Sequence, residues 1–351
     1  MISKVNIIND LTFLGKIFHQ ASDNEGKGTG PELDIFNDAK EKSFLNNPWF
    51  IPSFVKFTFS AWAYALKAGK VEKWLADYGL KDDQGKKPRT VGIIMAGNIP
   101  MVGFHDLLCV LASGNRALVR LSSSDEILIP EILRVLYVIN PEYKDRVKFT
   151  EGPLKNFDAI IATGSNNSSR YFDFYFGKYP HIIRKNRNGV AVLTDNETDH
   201  EMEMLADDLF MYFGLGCRNV SKLYIPEGFN IEKLYPHFGK YKFFSDHHKY
   251  RNNYDYQKSI LLINKIPHHD NGYLLIKQDQ TLISPIAVIH TETYQSIHAL
   301  REHLSGLKDR LQCVIACSAD FEGGIKPGRS QFPELWDYAD GVNTMDFLTS
   351  L

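Results

Sequence analysis

Cysteine is scarce in this chain: 4 in 351 residues. That is too few for a disulfide scaffold, so reduced thiols in a cytoplasm are the expectation. The first ten residues break their apolar run with Asn6, Asn9 and Asp10, and do not read as a signal peptide. An excess of charge of either sign is also missing, with 40 Lys and Arg against 42 Asp and Glu. That balance gives no electrostatic case for a nucleic-acid partner. The longest apolar region, Val91 to Ala112, contains Asn98, Pro100, His105 and Asp106, so no membrane span is expected. There is no G-x-G-x-x-G dinucleotide fingerprint. Cys313 and Cys317 have the wrong spacing for a C-x-x-C site, and the pairs His247-His248 and His268-His269 lack matching carboxylates. No metal is therefore expected, and those histidines read as surface residues. Neither an internal repeat nor a low-complexity tract is present.

What is there is ordinary in bulk and organised in detail. The length allows a large core divided into two lobes. Residues 1 to about 85 read as mostly helical, with a polar loop at Ser22–Pro31 and a solvated linker at Asp82–Pro88. The aromatics Trp49, Phe50, Phe54, Phe57, Phe59, Trp62 and Tyr64 read as packing beneath this segment rather than as an acyl-chain groove. A βα alternation follows: strands at Val91–Met95, Arg116–Leu121, Val147–Phe149 and Phe157–Ala162, helices at Met101–Ser113, Asp125–Ile139 (capped by Ser124) and Asn166–Phe176. A second series has a helix at Asp199–Phe213, a strand at Val220–Ile225, a helix at Ile231–Phe238, strands at Ile286–Ile289 and Leu311–Ala316, and a helix at Tyr294–Leu304. Residues 241–285 give no clear pattern. Strands separated by helices in this rhythm imply parallel sheets covered on both faces.

Cys217 is the residue with most to say about chemistry. It lies in Gly214-Leu215-Gly216-Cys217-Arg218-Asn219, just before an apolar run. The glycines suggest a tight connection that turns the thiol outwards, and Arg218 suggests the electropositive setting that lowers a thiol pKa. A small buried hydrophobe is the simpler reading of a free cysteine, and it is the one expected for Cys109. Asn98, in Ala96-Gly97-Asn98-Ile99-Pro100, sits on a second strand-to-helix elbow, with Pro100 starting the helix. A thiol and an amide are the parts needed for acyl transfer through a thioester, since the amide can donate to the oxyanion. As a bare signal Asn98 is equally a turn former. Thr163-Gly164-Ser165 opens a helix after an apolar strand, which suits phosphate or a plain cap. Arg120 ends a strand before Ser122-Ser123-Ser124, which suits a ribose or its phosphate, or simply solvent.

From about Val91 to the C-terminus the chain resembles the aldehyde dehydrogenase superfamily, specifically its fatty acyl-CoA reductase branch, that of the bioluminescence reductase. The resemblance is carried by Gly97–Pro100, Leu111–Arg120, Ala162–Ser165, Gly214–Cys217 and the proline segment Ser284-Pro285-Ile286-Ala287-Val288. It implies an α/β fold with a Rossmann-like cofactor lobe and an α/β catalytic lobe. The expected division is a helical segment over 1–85, an NAD(P)-binding lobe over 86–195, a catalytic lobe over 196–322 and an oligomerisation or return segment over 323–351. It implies Cys217 as nucleophile and Asn98 as oxyanion amide. Cofactor contacts are implied for Met95, Ala96, Gly97, Arg120, Ser122, Thr163, Gly164 and Ser165, with Arg120 in place of a lysine that reaches the adenosine ribose.

Two departures matter. Oxidising members carry a water-activating Glu, whereas His181–Gly189 contains no carboxylate and has Ile183 at about that position. Thr281 lies where a ribose-binding Glu is expected. The chain is also shorter than typical members, and residues 1–85 match them only vaguely. The resemblance and these departures imply a homo-oligomeric enzyme that reduces an acyl-CoA to an aldehyde, with NADPH or NADH as cofactor. The alternatives are an aldehyde-oxidising dehydrogenase, an acyl-transfer component without reductase activity, and a non-catalytic relative.

Overall fold

The computed structural model describes residues 2–23, 30–79, 87–164, 166–317, 321 and 323–351. The core of the loop expected at Ser22–Pro31 and most of the linker expected at Asp82–Pro88 lie outside these residues. The chain divides into two compact units, Met1–Asn186 with Phe332–Leu351, and Arg187–Gln331.

Unit 1 begins with four helices, α1 Lys4–Ser22, α2 Pro31–Asn46, α3 Pro52–Ala65 and α4 Ala68–Ala76. Ser3 caps α1 by accepting from Asn6 N, while Pro31 and Pro52 sit in the first turns of α2 and α3, where an N–H has no partner to lose. Of the aromatics, Phe50, Phe54 and Phe59 are buried core, as expected, while Trp49, Phe57, Trp62 and Tyr64 are half-buried. Phe18, Phe36 and Phe59 meet at 5.1 to 5.5 Å between ring centroids, and Trp62 lies edge-on to Phe104 at 4.7 Å. Gly15 lets α1 approach α3, since a Cβ there would lie 2.8 Å from Leu66 Cβ.

Against this helical layer lies a sheet of β1 Thr90–Ile94, β2 Arg116–Arg120, β3 Val147–Phe149, β4 Ala159–Thr163 and β5 His181–Arg184, all parallel, in the order β3-β2-β1-β4-β5. The crossover helices are α5 Phe104–Ala112, α6 Leu128–Ile139 and α7 Asn166–Phe176. The order reverses between β1 and β4, the kind of place where open parallel sheets bind ligands outside their strands' C-terminal ends.

Unit 2 holds a six-stranded sheet whose strands are connected through helices α8 Asp199–Phe210, α9 His248–Ile263 and α10 Ile297–Gly306. Its strands are β6 Asn188–Val192, β7 Val220–Pro226, β8 His269–Asp270, β9 Leu275–Gln278, β10 Val288–Tyr294 and β11 Leu311–Ala316, ordered β11-β6-β7-β10-β9-β8. Every pair is parallel except β8 with β9. Helix α8 buries Met202, Leu205 and Leu209, and a capping box of Thr198 and Glu201 starts it. Among the described residues, no helix is long and apolar enough to cross a membrane.

Several elements differ from the sequence reading. The helix expected from Asp125 starts at Leu128 without a side-chain cap, because Asp125 turns inward to accept from Met101 N at 2.8 Å. Ser124 is not its cap. The helix expected from Met101 starts at Phe104, and Pro100 precedes it in a turn where Met101 adopts φ 59°. The helix expected to reach Phe213 stops at Phe210. The strand expected at 286–289 starts at Val288 and runs to Tyr294, since Ala287 sits at φ 63°. β5, β6, β8, β9 and α9 had no counterpart in that reading. The two units divide the chain at 186/187 and 331/332, and β6 falls in the second because it pairs with β7 and β11.

The returning segment from Phe332 is pinned by one buried ion pair. Arg184 Nη2 donates to Asp106 Oδ1 at 2.6 Å and to Thr344 Oγ1 at 2.8 Å, and Nη1 donates to Ala339 O. Both side chains are under a tenth exposed. Removing one partner leaves an uncompensated buried charge. Asp106→Ala is therefore expected to lower the stability of unit 1 by about 3–5 kcal/mol, and the double Asp106→Leu, Arg184→Met by clearly less. Urea denaturation of both variants checks this.

Candidate active site

The first set of expected residues gathers at one edge of the unit 1 sheet. Since β1, β2 and β4 are parallel neighbours, their C-terminal ends lie side by side. Met95 to Asn98 leave β1, Arg120 and Ser122 leave β2, and Thr163 and Gly164 leave β4. Asn98 is exposed at the tip of its elbow, and Arg120 is exposed as well. Met95 differs: its side chain is buried and packs where a Cβ on Gly103 would lie 2.6 Å from its Cγ, while its N–H donates to Arg120 O. Ser165 lies outside the described residues.

Two glycines here serve protein contacts. A Cβ on Gly97 would meet Ser122 Oγ at 2.6 Å, so this glycine lets the β1 elbow rest on the β2 loop. A Cβ on Gly164 would meet Ser168 Cβ at 2.8 Å, so close packing on α7 requires glycine there. The exposed guanidinium of Arg120 and the Ser122 hydroxyl, at the strand ends where the sheet order reverses, are groups that suit a nucleotide cofactor's ribose and phosphate.

Asp125 joins the two elbows. It is 5% exposed, and its Oδ1 has no hydrogen-bond partner. Burial pushes its carboxyl up to about 7, although the N–H groups of Met101 and Leu128 work against that shift. Its role had no signal beyond an Asp after three serines.

The second set lies in unit 2, where Cys217 sits half-buried on the turn between α8 and β7. Tyr212, Phe213 and Gly214 precede it with φ of 54°, 57° and 75°, three consecutive left-handed residues. Phe213 holds this strained path by packing at 4.4 Å on both Phe244 and His247. His247 is thus half-buried, and it also caps α9, its Nδ1 accepting from Tyr250 N; the surface reading of that histidine is corrected. The turn rests on the start of β6. Gly189 N donates to Asn219 O at 3.1 Å, and a Cβ on Gly189 would meet Arg218 O at 2.8 Å. Cys313 donates its thiol to Arg218 O at 3.6 Å, and burial pushes that thiol up to about 12. Cys109 is fully buried, as expected. Asn219 is 2% exposed and bonds to both the N–H and the carbonyl of Gly216, the residue before Cys217.

At the two departures the structure adds detail. Thr281 spends its N–H and hydroxyl on Asp279 Oδ1, both at 2.8 Å, and its carbonyl accepts from the buried His290 Nδ1. Asp279 also takes Lys277 at 2.6 Å. The stretch 181–189 splits into β5 and β6, and Lys185 N donates to Asp340 Oδ2 at 3.3 Å. A carboxylate thus stands beside a segment that has none of its own. Among the described residues, no group of three or more His, Cys, Asp or Glu side chains could hold a metal ion.

A Rossmann-type unit and a second, mostly parallel sheet with a cysteine turn before β7 define a class of two-unit α/β proteins. No family model and no curated protein matches the chain. Solved structures do. Aldehyde dehydrogenase 21 from Physcomitrella patens, in complex with the reaction product succinate, matches with a TM-score of 0.62 over 96% of this chain and 84% of its own, at 10% identity. An indole-3-acetaldehyde dehydrogenase from P. syringae, in complex with NAD+ and IAA, matches with a TM-score of 0.61 over 93% of this chain and 74% of its own, at 11% identity. Betaine aldehyde dehydrogenase from Staphylococcus aureus, in complex with NAD+, matches with a TM-score of 0.56 over 88% and 71%, at 12% identity. The chain has the aldehyde dehydrogenase fold.

Asp125 gives a pH signature. Between an unfolded pKa of about 4 and a folded value of about 7, the native state holds one more proton than the unfolded chain. Raising pH through that window therefore costs stability, at up to about 1.4 kcal/mol per pH unit from this group, and the loss is complete above it. Chemical denaturation from pH 4 to 8 is expected to show this slope reduced in Asp125→Asn.

Proposed function

We propose that the protein is an NAD(P)H-dependent acyl-CoA reductase of the fatty acyl-CoA reductase branch, acting through an acyl thioester on Cys217. The observation that carries this reading is the braced cysteine turn in an aldehyde dehydrogenase fold, in a chain whose segment 181–189 supplies no carboxylate side chain.

The Cys217 sulfur, as thiolate, attacks the carbonyl carbon of the acyl-CoA. A tetrahedral oxyanion forms, and the Asn98 amide and the Cys217 N–H donate to it. The carbon–sulfur bond to CoA then breaks, and CoA leaves as a thiolate that takes up a proton. The acyl group stays on Cys217. A nicotinamide cofactor, when bound, supplies the hydride that turns this thioester into an aldehyde. Arg120 and Ser122 orient the ribose end, and the charge of Arg120 favours NADPH over NADH. Cys217 departs as thiolate, ready for another acyl group. Without a base that activates water, the thioester survives until reduction. A homo-oligomer of cytoplasmic location belongs to the same proposal and rests on the resemblance.

Aldehyde oxidation is the second reading. It is favoured by the dehydrogenases with the same fold.

Intact mass after incubation with acyl-CoAs of several chain lengths, without nicotinamide, tests the first reading. One added acyl group is expected, absent in Cys217→Ala. Asn98→Ala should slow its formation by about 10²–10³-fold. Adding NADPH or NADH should then clear the adduct as aldehyde. No adduct, together with NAD+-dependent acid formation from an aldehyde, would replace this reading by oxidation.

A further inference from the structure

Helix α8 stops at Phe210, and its last carbonyls have no partner further along the helix. Two carbonyls at this end, Asp208 O and Met211 O, accept from the same group: Asn219 Nδ2, at 3.0 and 2.9 Å. Both amide protons are thereby used. On its other side the same amide reaches the cysteine turn, where Asn219 Oδ1 accepts from Gly216 N at 2.8 Å. The Asn219 main chain works on the turn as well. Its N–H donates to Gly216 O at 3.0 Å, and its carbonyl accepts from Gly189 N of β6.

The consequence lies in peptide planarity. Gly216 N–H belongs to the peptide plane between Leu215 and Gly216, and Gly216 C=O to the plane between Gly216 and Cys217. Asn219 therefore holds two successive planes, one by its side chain and one by its main chain. In a trans peptide the C=O and the following N–H point in opposite directions. Fixing Gly216 C=O toward Asn219 therefore turns Cys217 N–H away from Asn219. Rotating that plane would break the bond to Asn219 N, and rotating the one before it would break the bond to Oδ1. A residue with one amide, of this length and this burial, does what no single substitute can. Asp has no donor for the two carbonyls, Gln is a methylene too long, and Ala has neither group.

We propose that Asn219 is the positioning residue of the Cys217 turn, ordering the helix end and the two peptide planes that aim the Cys217 N–H and thiol. This rests on the acyl-enzyme reading given above. It predicts that Asn219 acts on the rate of the chemical step rather than on substrate binding.

The test uses the full chain as Asn219→Ala, with Asn219→Asp as a same-shape second variant that keeps the acceptor for Gly216 N should the first fail to fold. Single-turnover acylation by an acyl-CoA is measured against concentration, beside thermal unfolding and the rate of Cys217 alkylation by iodoacetamide. A positioning role lowers the saturating acylation rate by about 10- to 100-fold in folded protein, with the half-saturating concentration unchanged within about twofold. A lower melting temperature with a parental acylation rate per folded molecule would overturn the proposal and leave Asn219 a purely structural residue. If the parent protein takes up no acyl group while iodoacetamide still labels Cys217, it is the acyl-enzyme reading that fails. The alkylation rates then decide for Asn219 alone: a change of about tenfold or more keeps it as the residue that aims the thiol, and equal rates sink it.

Discussion

Parallel strand pairing is the constraint on which the rest depends. A parallel strand cannot be reached by a two-residue hairpin, so the chain must leave the sheet and return through a crossover. All C-terminal strand ends then fall on one edge, and loops far apart in sequence become neighbours. In unit 1 that edge brings together Asn98 after β1, Arg120 and Ser122 after β2, and Thr163 and Gly164 after β4. The loops are not merely adjacent. Gly97 lacks a side chain because Ser122 occupies that space, and Asp125 crosses to hold Met101 N. The elbow that carries the exposed amide is thus fixed by the neighbouring loop.

Unit 2 uses the opposite end of its sheet. Cys217 stands before β7 rather than after it, and the start of β6 supports the turn through Gly189. Strain and polar satisfaction work together there. Three left-handed residues, of which Tyr212 and Phe213 carry side chains, cost of order 1–3 kcal/mol each where a side chain is present. The buried aromatic packing of Phe213 on Phe244 and His247 offsets that cost, and Asn219 supplies the hydrogen bonds the broken helix end lacks. The result is a short, rigid path from α8 to the thiol.

Much of this was legible in the chain, and the gaps have physical causes. The strands Arg116–Arg120, Val147–Phe149 and Leu311–Ala316 were read to within a residue, because apolar runs bounded by turns are a local signal. Helix α8 starts where the sequence places a helix, but it ends three residues earlier, since the left-handed residues that follow are held by tertiary packing. β5 was missed because Arg184 looks like a surface residue until Asp106, 78 positions away, neutralises it. The start of α6 was misread for a similar reason: the carboxylate of Asp125 is spent on another loop.

For the candidate site, the sequence alone determined the chemical parts: a thiol between glycines, an amide on an elbow, an arginine after a strand, and a segment without a carboxylate. These are properties of residue type and of spacing along the chain, which folding does not alter. Only the tertiary structure decided how those parts are held. It made Gly164 a packing glycine, buried Met95, set Asp340 beside Lys185, and gave Asn219 the backbone groups of a helix end and of the cysteine turn. Each of these depends on which distant backbone lies within about 3 Å of a side chain, the range over which a hydrogen bond acts.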